Sequence, residues 1–209
     1  MDDLVAGAGK GNAYQEDAYV FDGPLTGIVS TGAADARVTG DGNVGGGLGF
    51  VFADLDDDGT EDLAIGAEYA YLGPSQDRGE VYIFTAVPAG LTSLNSADST
   101  LTAFGDNLGC ALATGDFDAD GRADLLVGAA GAEDGGAAYV LLGPMSGALG
   151  SDSAAVTMTG ESTSDGAGRG VAAGDVDGDG VDDAIVGAVG SDRAESNAGA
   201  VYIVHGSGL

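Results

Sequence analysis

The sequence predicts an all-β protein made of β-propeller blades, each with four antiparallel strands. Three observations predict it: an internal repeat of about 60 residues, short apolar runs bounded by turn-forming residues, and 40 glycines in 209 residues. No stretch has sustained helical periodicity. Four short strands per repeat are typical of a propeller blade, so the chain should hold about three and a half to four blades.

Three acidic segments define the repeat. They read ADLDDDGTEDLAIGA at residues 53–67, GDFDADGRADLLVGA at 115–129 and GDVDGDGVDDAIVGA at 174–188. Their first aspartates lie 62 and 59 residues apart. The N-terminal run DDLVAGA, residues 2–8, matches the tail of the same unit. The first repeat therefore lacks its acidic loop, and we predict no metal site at Asp3.

The same strand-like runs surround each acidic segment. A glycine-rich run precedes the segment, and a short apolar run ending in Gly-Ala follows it. A tyrosine-bearing run and a more polar run complete the unit, and we expect the tyrosines to pack in the core. They are Tyr19, Tyr82, Tyr139 and Tyr202. The predicted units are a partial blade at 1–40 without its first strand and loop, full blades at 41–105 and 106–160, and a partial blade at 161–209.

The acidic loops, at residues 54–62, 116–124 and 175–183, share the pattern D-x-D-x-D-G-x-x-D. Side chains at positions 1, 3, 5 and 9 and the carbonyl at position 7 are oxygen donors, and glycine at position 6 allows a sharp turn. Oxygen ligands without Cys or His favour Ca²⁺ over zinc or copper, and Mg²⁺ prefers fewer protein ligands. We therefore predict three Ca²⁺ sites. The predicted ligands are Asp54, Asp56, Asp58, Asp62 and the Thr60 carbonyl; Asp116, Asp118, Asp120, Asp124 and the Arg122 carbonyl; and Asp175, Asp177, Asp179, Asp183 and the Val181 carbonyl.

Two other interpretations of these loops are weaker. An EF-hand needs a bidentate Glu at position 12 and flanking helices, but position 12 is Ile65, Val127 or Val186, within an apolar run. An ordinary polar turn would explain one loop, whereas three loops in register favour a metal. The loops should therefore join two strands and bind calcium.

The order G-x-x-V-A-x-G-D-x-D-x-D-G-x-x-D, then an apolar run ending in Gly-Ala and a G-A-V-Y-I run, resembles the FG-GAP repeat of integrin α-chain propellers and bacterial repeat proteins. The third unit, residues 168–204, has the strongest likeness. The resemblance implies a β-propeller with calcium between the first two strands of a blade. Two departures are the missing proline after Gly-Ala and a length short of the seven blades of an integrin propeller.

Composition limits the partners. With 34 acidic and 6 basic residues, the net charge of −28 disfavours nucleic acid and anionic membranes. No apolar run reaches the roughly 20 residues of a membrane span, and no signal peptide follows Met1. We expect Cys110 to be a small buried strand residue, His205 an exposed residue near the C-terminus, and Asp182 a solvated neighbour of the third set of ligands.

The sequence therefore predicts a non-enzymatic calcium-binding module with a scaffold, adhesion or protein-interaction role, extracellular or at the cell surface. An open arc of blades would expose apolar faces. A small closed four-bladed ring or an arc excised from a longer protein would explain the blade number, but we expect ring closure by self-association, with a two-fold dimer favoured. A protein or a glycan is the expected ligand class. The alternatives are the propeller portion of a secreted hydrolase or lyase, and a fragment that serves only propeller assembly.

Overall fold

The computed structural model describes residues 3–9, 16–40, 48–71, 78–102, 106–192 and 198–206. These residues form strands and three short 3-10 turns, with no α-helix among them and nothing long and apolar enough to cross a membrane as a helix. The all-β prediction is confirmed. The strands are β1 (Leu4–Gly9), β2 (Glu16–Phe21), β3 (Ala36–Thr39), β4 (Leu48–Ala53), β5 (Asp62–Tyr71), β6 (Arg78–Phe84), β7 (Gly90–Ser93), β8 (Ser99–Thr102), β9 (Asp106–Gly115), β10 (Asp124–Gly131), β11 (Ala137–Leu141), β12 (Ala148–Leu149), β13 (Val156–Thr159), β14 (Ala167–Gly174), β15 (Asp183–Ala188) and β16 (Ala200–Val204).

The strands form four antiparallel meanders, which we call the first to fourth blades. The second blade is β4, β5, β6 and β8, and the third is β9, β10, β11 and β13, each paired in that order. The first blade is β1–β3 and the fourth is β14–β16. These meanders agree with the predicted propeller blades, while the predicted blade limits at residues 40, 105 and 160 stay predictions.

Two short strands connect neighbouring blades at the outer edge, which the sequence did not predict. Strand β7 lies between β6 and β8 in the chain, but it pairs in parallel with β3 of the first blade. Strand β12 likewise pairs in parallel with β8 of the second blade. The outer strands of the first two blades, β3 and β8, are therefore covered by the connection that precedes the outer strand of the next blade.

Each pair of neighbouring blades buries a hydrophobic cluster between them. One cluster joins the first and second blades, another the second and third, and another the third and fourth. The predicted tyrosine packing is confirmed where the structure buries the side chain: Tyr82 and Tyr139 belong to two of these clusters, and Tyr202 packs against the remaining one. Tyr19 is half-buried, and its hydroxyl donates to Asp17 over 3.3 Å. Blade-to-blade burial is thus the main apolar stabilisation of the fold.

The blades approach each other closely enough to require glycine in the second strand. A Cβ at Gly66 would lie 2.1 Å from the Gly109 carbonyl oxygen of the third blade, and one at Gly128 would lie 2.0 Å from the Gly168 oxygen of the fourth. At the equivalent Gly187 the nearest atom would be the Gly170 oxygen at 3.3 Å. Two of these glycines therefore fix the spacing between blades.

We predict that Gly128→Ala destabilises the fold by about 1–3 kcal/mol, because the added methyl must push the fourth blade away. Gly187→Ala is the matched control in the same register position. In the monomeric chain it should change the free energy of unfolding by less than about 1 kcal/mol, since no backbone atom of the same chain blocks its Cβ as closely. Urea denaturation of both variants measures the difference, and equal effects would contradict the blade-spacing role.

Candidate metal centres in the aspartate loops

The three acidic loops occupy the same place in three blades. Each joins the first strand of its blade to the second: β4 to β5, β9 to β10, and β14 to β15. The aspartate at position 9 is the first residue of the second strand in every case. The loops are therefore hairpin connections, as the pattern predicted, and their geometry can be compared position by position.

Hydrogen bonds from the backbone hold the carboxylates of the first loop inward. Asp54 accepts from the N–H of Asp58 at 3.0 Å and from that of Gly59 at 2.9 Å. Asp56 also accepts from Asp58, and the Asp58 carboxylate accepts from the N–H of Thr60 at 2.8 Å. The same four contacts recur in the other two loops at 2.9–3.1 Å. The repeated sequence therefore gives one repeated loop structure.

Left-handed backbone turns shape the loops at two positions. The position-6 glycines have φ of 88°, 85° and 92°, as expected for a sharp turn. Position 4 is also left-handed, at Asp57 (63°), Ala119 (61°) and Gly178 (83°). The second turn was not predicted, because two of the three residues there carry a Cβ.

In each loop, acidic oxygens from three residues lie within 4.8 Å of one another. These groups bring most of the predicted ligands together, and a cation could bridge them. They are Asp54, Asp56 and Asp58 in the first loop; Asp116, Asp118 and Asp124 in the second; and Asp175, Asp177 and Asp179 in the third. Asp120 instead contacts Arg122, whose Nη1 lies 3.0 Å from Asp120 Oδ2. The carbonyls of Thr60, Arg122 and Val181 remain predicted ligands.

The position-9 aspartates are buried and tie the loop to the rest of the blade. One carboxylate oxygen accepts from the N–H at position 2, over 2.7 Å from Leu55, 2.8 Å from Phe117 and 2.9 Å from Val176. In the second and third loops the other oxygen accepts from a glycine after the third strand, Gly143 or Gly206. These aspartates therefore have a structural role in addition to the predicted one.

Asp3 makes the equivalent tie in the first blade. Its Oδ1 accepts from the N–H of Gly23 at 2.9 Å, although no acidic loop precedes it in this chain. The hydrogen bond between this aspartate and the glycine after the third strand is therefore shared by three blades.

The first loop contains a buried oxygen that lacks a donor. Asp62 is fully buried, and its Oδ1 has no hydrogen-bond partner among the residues that the structure describes. Burial raises the pKa of Asp62 and also that of Asp124. A raised carboxyl pKa means that ionisation opposes folding as pH rises through the usual range. A bound cation would offset this cost, so the residues present fit a hard cation.

The third loop differs from the other two in the pKa shift of its position-9 aspartate and in the histidine beside it. The N–H of Val176, chiefly, lowers the pKa of Asp183. His205 Nδ1 lies 3.2 Å from Asp183 Oδ1 and 3.2 Å from Asp177 Oδ2. His205 is exposed, as expected, but its contacts with these two carboxylates were not predicted. The sequence did contain one signal for these contacts: His205 directly follows the third strand, next to the glycine whose N–H donates to Asp183.

Adjacent loops also contact each other. The expectation that Asp182 is only a solvated neighbour of the third set of ligands is wrong. Its Oδ2 accepts from the N–H of Asp116 in the preceding loop at 3.0 Å. Its own N–H donates to the Asp116 carbonyl at 3.0 Å. Arg122 of the second loop reaches back to Asp57 of the first, with 2.9 Å between Nε and Oδ2. The three loops therefore form a continuous acidic row.

Cys110 lies on β9 and is half-buried. Its thiol donates to the carbonyl of Gly168 at 3.2 Å, and burial raises its pKa. The cysteine is therefore a strand residue facing the fourth blade, without thiolate character.

Comparison with known proteins supports this architecture. A family model described as FG-GAP repeat matches residues 46–84, 109–141 and 167–204, more than half of the chain. The chain is 31% identical to integrin alpha pat-2 of Caenorhabditis briggsae over 208 aligned residues, covering 90% of this chain and 16% of that protein. It is 44% identical to human integrin alpha-IIb over 84 residues, covering 38% of this chain and 8% of that protein. The resemblance predicted from the sequence is confirmed, and the chain spans about a sixth or less of each relative.

We predict that Asp124→Ala destabilises the fold in the presence of a chelator, by about 1–3 kcal/mol, because the N–H groups of Phe117 and Gly143 lose their acceptor. Asp118→Ala is the matched control. It should cost less than about 1 kcal/mol, since the N–H it accepts from Asp120 also donates to Asp116. Urea denaturation in EDTA compares them. If Asp118→Ala lowers the free energy of unfolding as much as Asp124→Ala does, the hydrogen bonds from Phe117 and Gly143 do not explain the loss.

Proposed function

The chain belongs to the FG-GAP repeat family, and we propose that it is a non-enzymatic, calcium-stabilised propeller module for adhesion or protein interaction outside the cell. The observation that carries the proposal is the repeated loop geometry. Three hairpins hold their carboxylates inward with the same hydrogen bonds. The likeness to integrin alpha chains supports a scaffold role for the blades.

Calcium is the cation that best suits these loops. The predicted ligands are carboxylate and carbonyl oxygens, which favour hard cations, and a loop of many oxygens suits the larger, flexible coordination of Ca²⁺. The donor-less Oδ1 of Asp62 supports a cation in the first loop. Extracellular modules bind calcium at about 10⁻⁴–10⁻³ M, and a net charge of −28 adds to the attraction. A calcium ion bridging the carboxylates of each loop would stabilise the hairpin between the first two strands of its blade.

The same observations favour a binding module over an enzyme. Within the described residues, every group of three clustered acidic or histidine side chains takes at least two members from one acidic loop, and His205 is the one member outside the loops. Their carboxylates are held by backbone donors, which suits cation ligands. Outside the loops and His205, the described part of the chain offers no second cluster of acidic or histidine side chains that would support a hydrolase or lyase.

The two ends of the blade array carry matching apolar surfaces. Val201 and Ile203 on β16 are 68% and 46% exposed, whereas the equivalent Val81 and Ile83 on β6 are buried against the next blade. At the other end, Leu4 is 50% exposed, although its counterpart in β5 is buried against the preceding blade. The exposed faces are therefore two halves of one repeated interface. We propose that a second copy covers them head to tail, closing a two-fold ring.

We predict that calcium raises the melting temperature by at least about 5 °C relative to EDTA, because a cation that binds only the folded chain adds about 2.7 kcal/mol per site at a hundred times its Kd. Isothermal titration should count three calcium ions per chain. Asp118→Ala should remove one and leave the other two. An equal melting temperature in calcium and in EDTA would overturn the proposed calcium role.

We predict that Val201→Asp converts the dimer to a monomer, since it places a charge in the apolar interface. Light scattering with calcium present measures the mass. Ile28→Asp is the control, because Ile28 is fully exposed and lies outside the two apolar faces. A wild-type chain that is monomeric at all concentrations tested would contradict the self-association.

A further inference from the structure

We propose that the side chain of Arg122 competes with the bound cation in the second loop and makes that loop the weakest of the three calcium sites. The inference rests on the proposed function, because it assumes that all three loops bind calcium. It adds a side chain that sets affinity and that the repeated ligand pattern does not include. Calcium would then fill the loops in two steps, with the second loop last.

The guanidinium contacts a carboxylate oxygen that the cation needs. Asp120 is the predicted ligand at position 5, and its Oδ1 already accepts from the N–H of Arg122 at 2.9 Å. Its Oδ2 is therefore the oxygen left for a cation, and Nη1 of Arg122 lies 3.0 Å from it. A guanidinium has only donors, and its charge repels a second cation at the same oxygen. Calcium binding through Oδ2 must therefore displace the arginine.

The other two loops have the same arrangement without this competitor. Their position-5 aspartates, Asp58 and Asp179, also accept at Oδ1 from the N–H of position 7, at 2.8 and 2.9 Å. Position 7 is Thr60 in one loop and Val181 in the other. In both loops the position-5 carboxylate belongs to the cluster of oxygens within 4.8 Å, whereas the cluster of the second loop contains the position-9 aspartate instead. The position-5 ligand is therefore drawn away from the cluster in the loop that carries the arginine.

A second carboxylate holds the arginine in place. Asp57 of the first loop lies at position 4, which is not a ligand position, and its Oδ2 is 2.9 Å from Nε of Arg122. Position 4 is Ala119 in the second loop and Gly178 in the third, so the second and third loops have no equivalent pair. Two charge-assisted hydrogen bonds orient the guanidinium toward Asp120. The side chains of Arg122 and Asp120 are 44% and 32% exposed, so this pair can open toward solvent when calcium binds.

The formal charges of the loops also place the second loop last. Residues 54–62 contain six acidic side chains and residues 175–183 contain five, whereas residues 116–124 contain four and the arginine. The affinity of a calcium loop depends on the charge of its side chains and on how freely they can adjust. The loop with the least negative charge, and with one ligand already paired, should therefore bind calcium most weakly.

The test is a calcium titration followed by NMR of the chain, isotope-labelled on its glycine nitrogens. Gly59, Gly121 and Gly180 each donate an N–H to the first aspartate of their own loop, so their amide signals report the loops one by one. The midpoint for Gly121 should lie at least about fivefold higher in calcium than the other two, since side-chain charge changes the Kd of such loops over orders of magnitude. Arg122→Val introduces the residue of the third loop, keeps the carbonyl ligand, and should lower the Gly121 midpoint to that of the other loops.

Arg37→Val is the matched control. It removes the same charge from a pair with Asp17 in the first blade, which has no acidic loop in this chain, and should leave the Gly121 midpoint unchanged. If Gly121 responds together with the other two glycines in the wild type, or if Arg122→Val raises its midpoint, the arginine orients Asp120 and the inference is wrong. Equal effects of the two variants would assign the change to net charge and also overturn it. If none of the three glycine signals moves, the loops do not bind calcium, and the proposed function fails together with this inference.

Discussion

The buried aspartate at position 9 is the contact on which the blade depends. It starts the second strand, accepts from the loop backbone at position 2, and in two blades accepts from the end of the third strand. An ionised carboxylate is costly to bury unless donors or a cation compensate. The loop must therefore stay close enough to give its N–H groups. The shape of the hairpin and the placement of the other carboxylates follow from this requirement.

The hairpins also depend on how the blades stack. Gly66 and Gly128 let the first strand of the next blade approach within a distance that no side chain permits. That approach brings neighbouring loops together, so that Asp182 reaches Asp116 and Arg122 reaches Asp57. The same spacing allows β7 and β12 to reach the preceding outer strand. Loop geometry and blade packing are thus two results of one repeated interface.

The sequence predicted the features that repeat and missed those that do not. Strand content, the family resemblance and the position-6 turns follow from a pattern present three times, and each occurrence supports the others. His205 beside Asp177 was missed because the histidine occurs once and follows the third strand of its blade, far from the loop in sequence. Asp182 was misassigned because its partner belongs to another blade. Contacts between blades depend on the stacking geometry, which the spacing of residues within one repeat does not specify.

The acidic row makes the cation affinity of each loop depend on the charge of its neighbours. Each loop carries at least four carboxylates, and adjacent loops contact each other directly through Asp182 and Arg122. At such separations, charges interact strongly when water is partly excluded. A cation in one loop lowers the repulsion felt by the next, while Arg122 partly does so between the first two. The first two loops, which Arg122 bridges, should therefore depend less on a bound cation than the third loop, whose carboxylates contact a histidine.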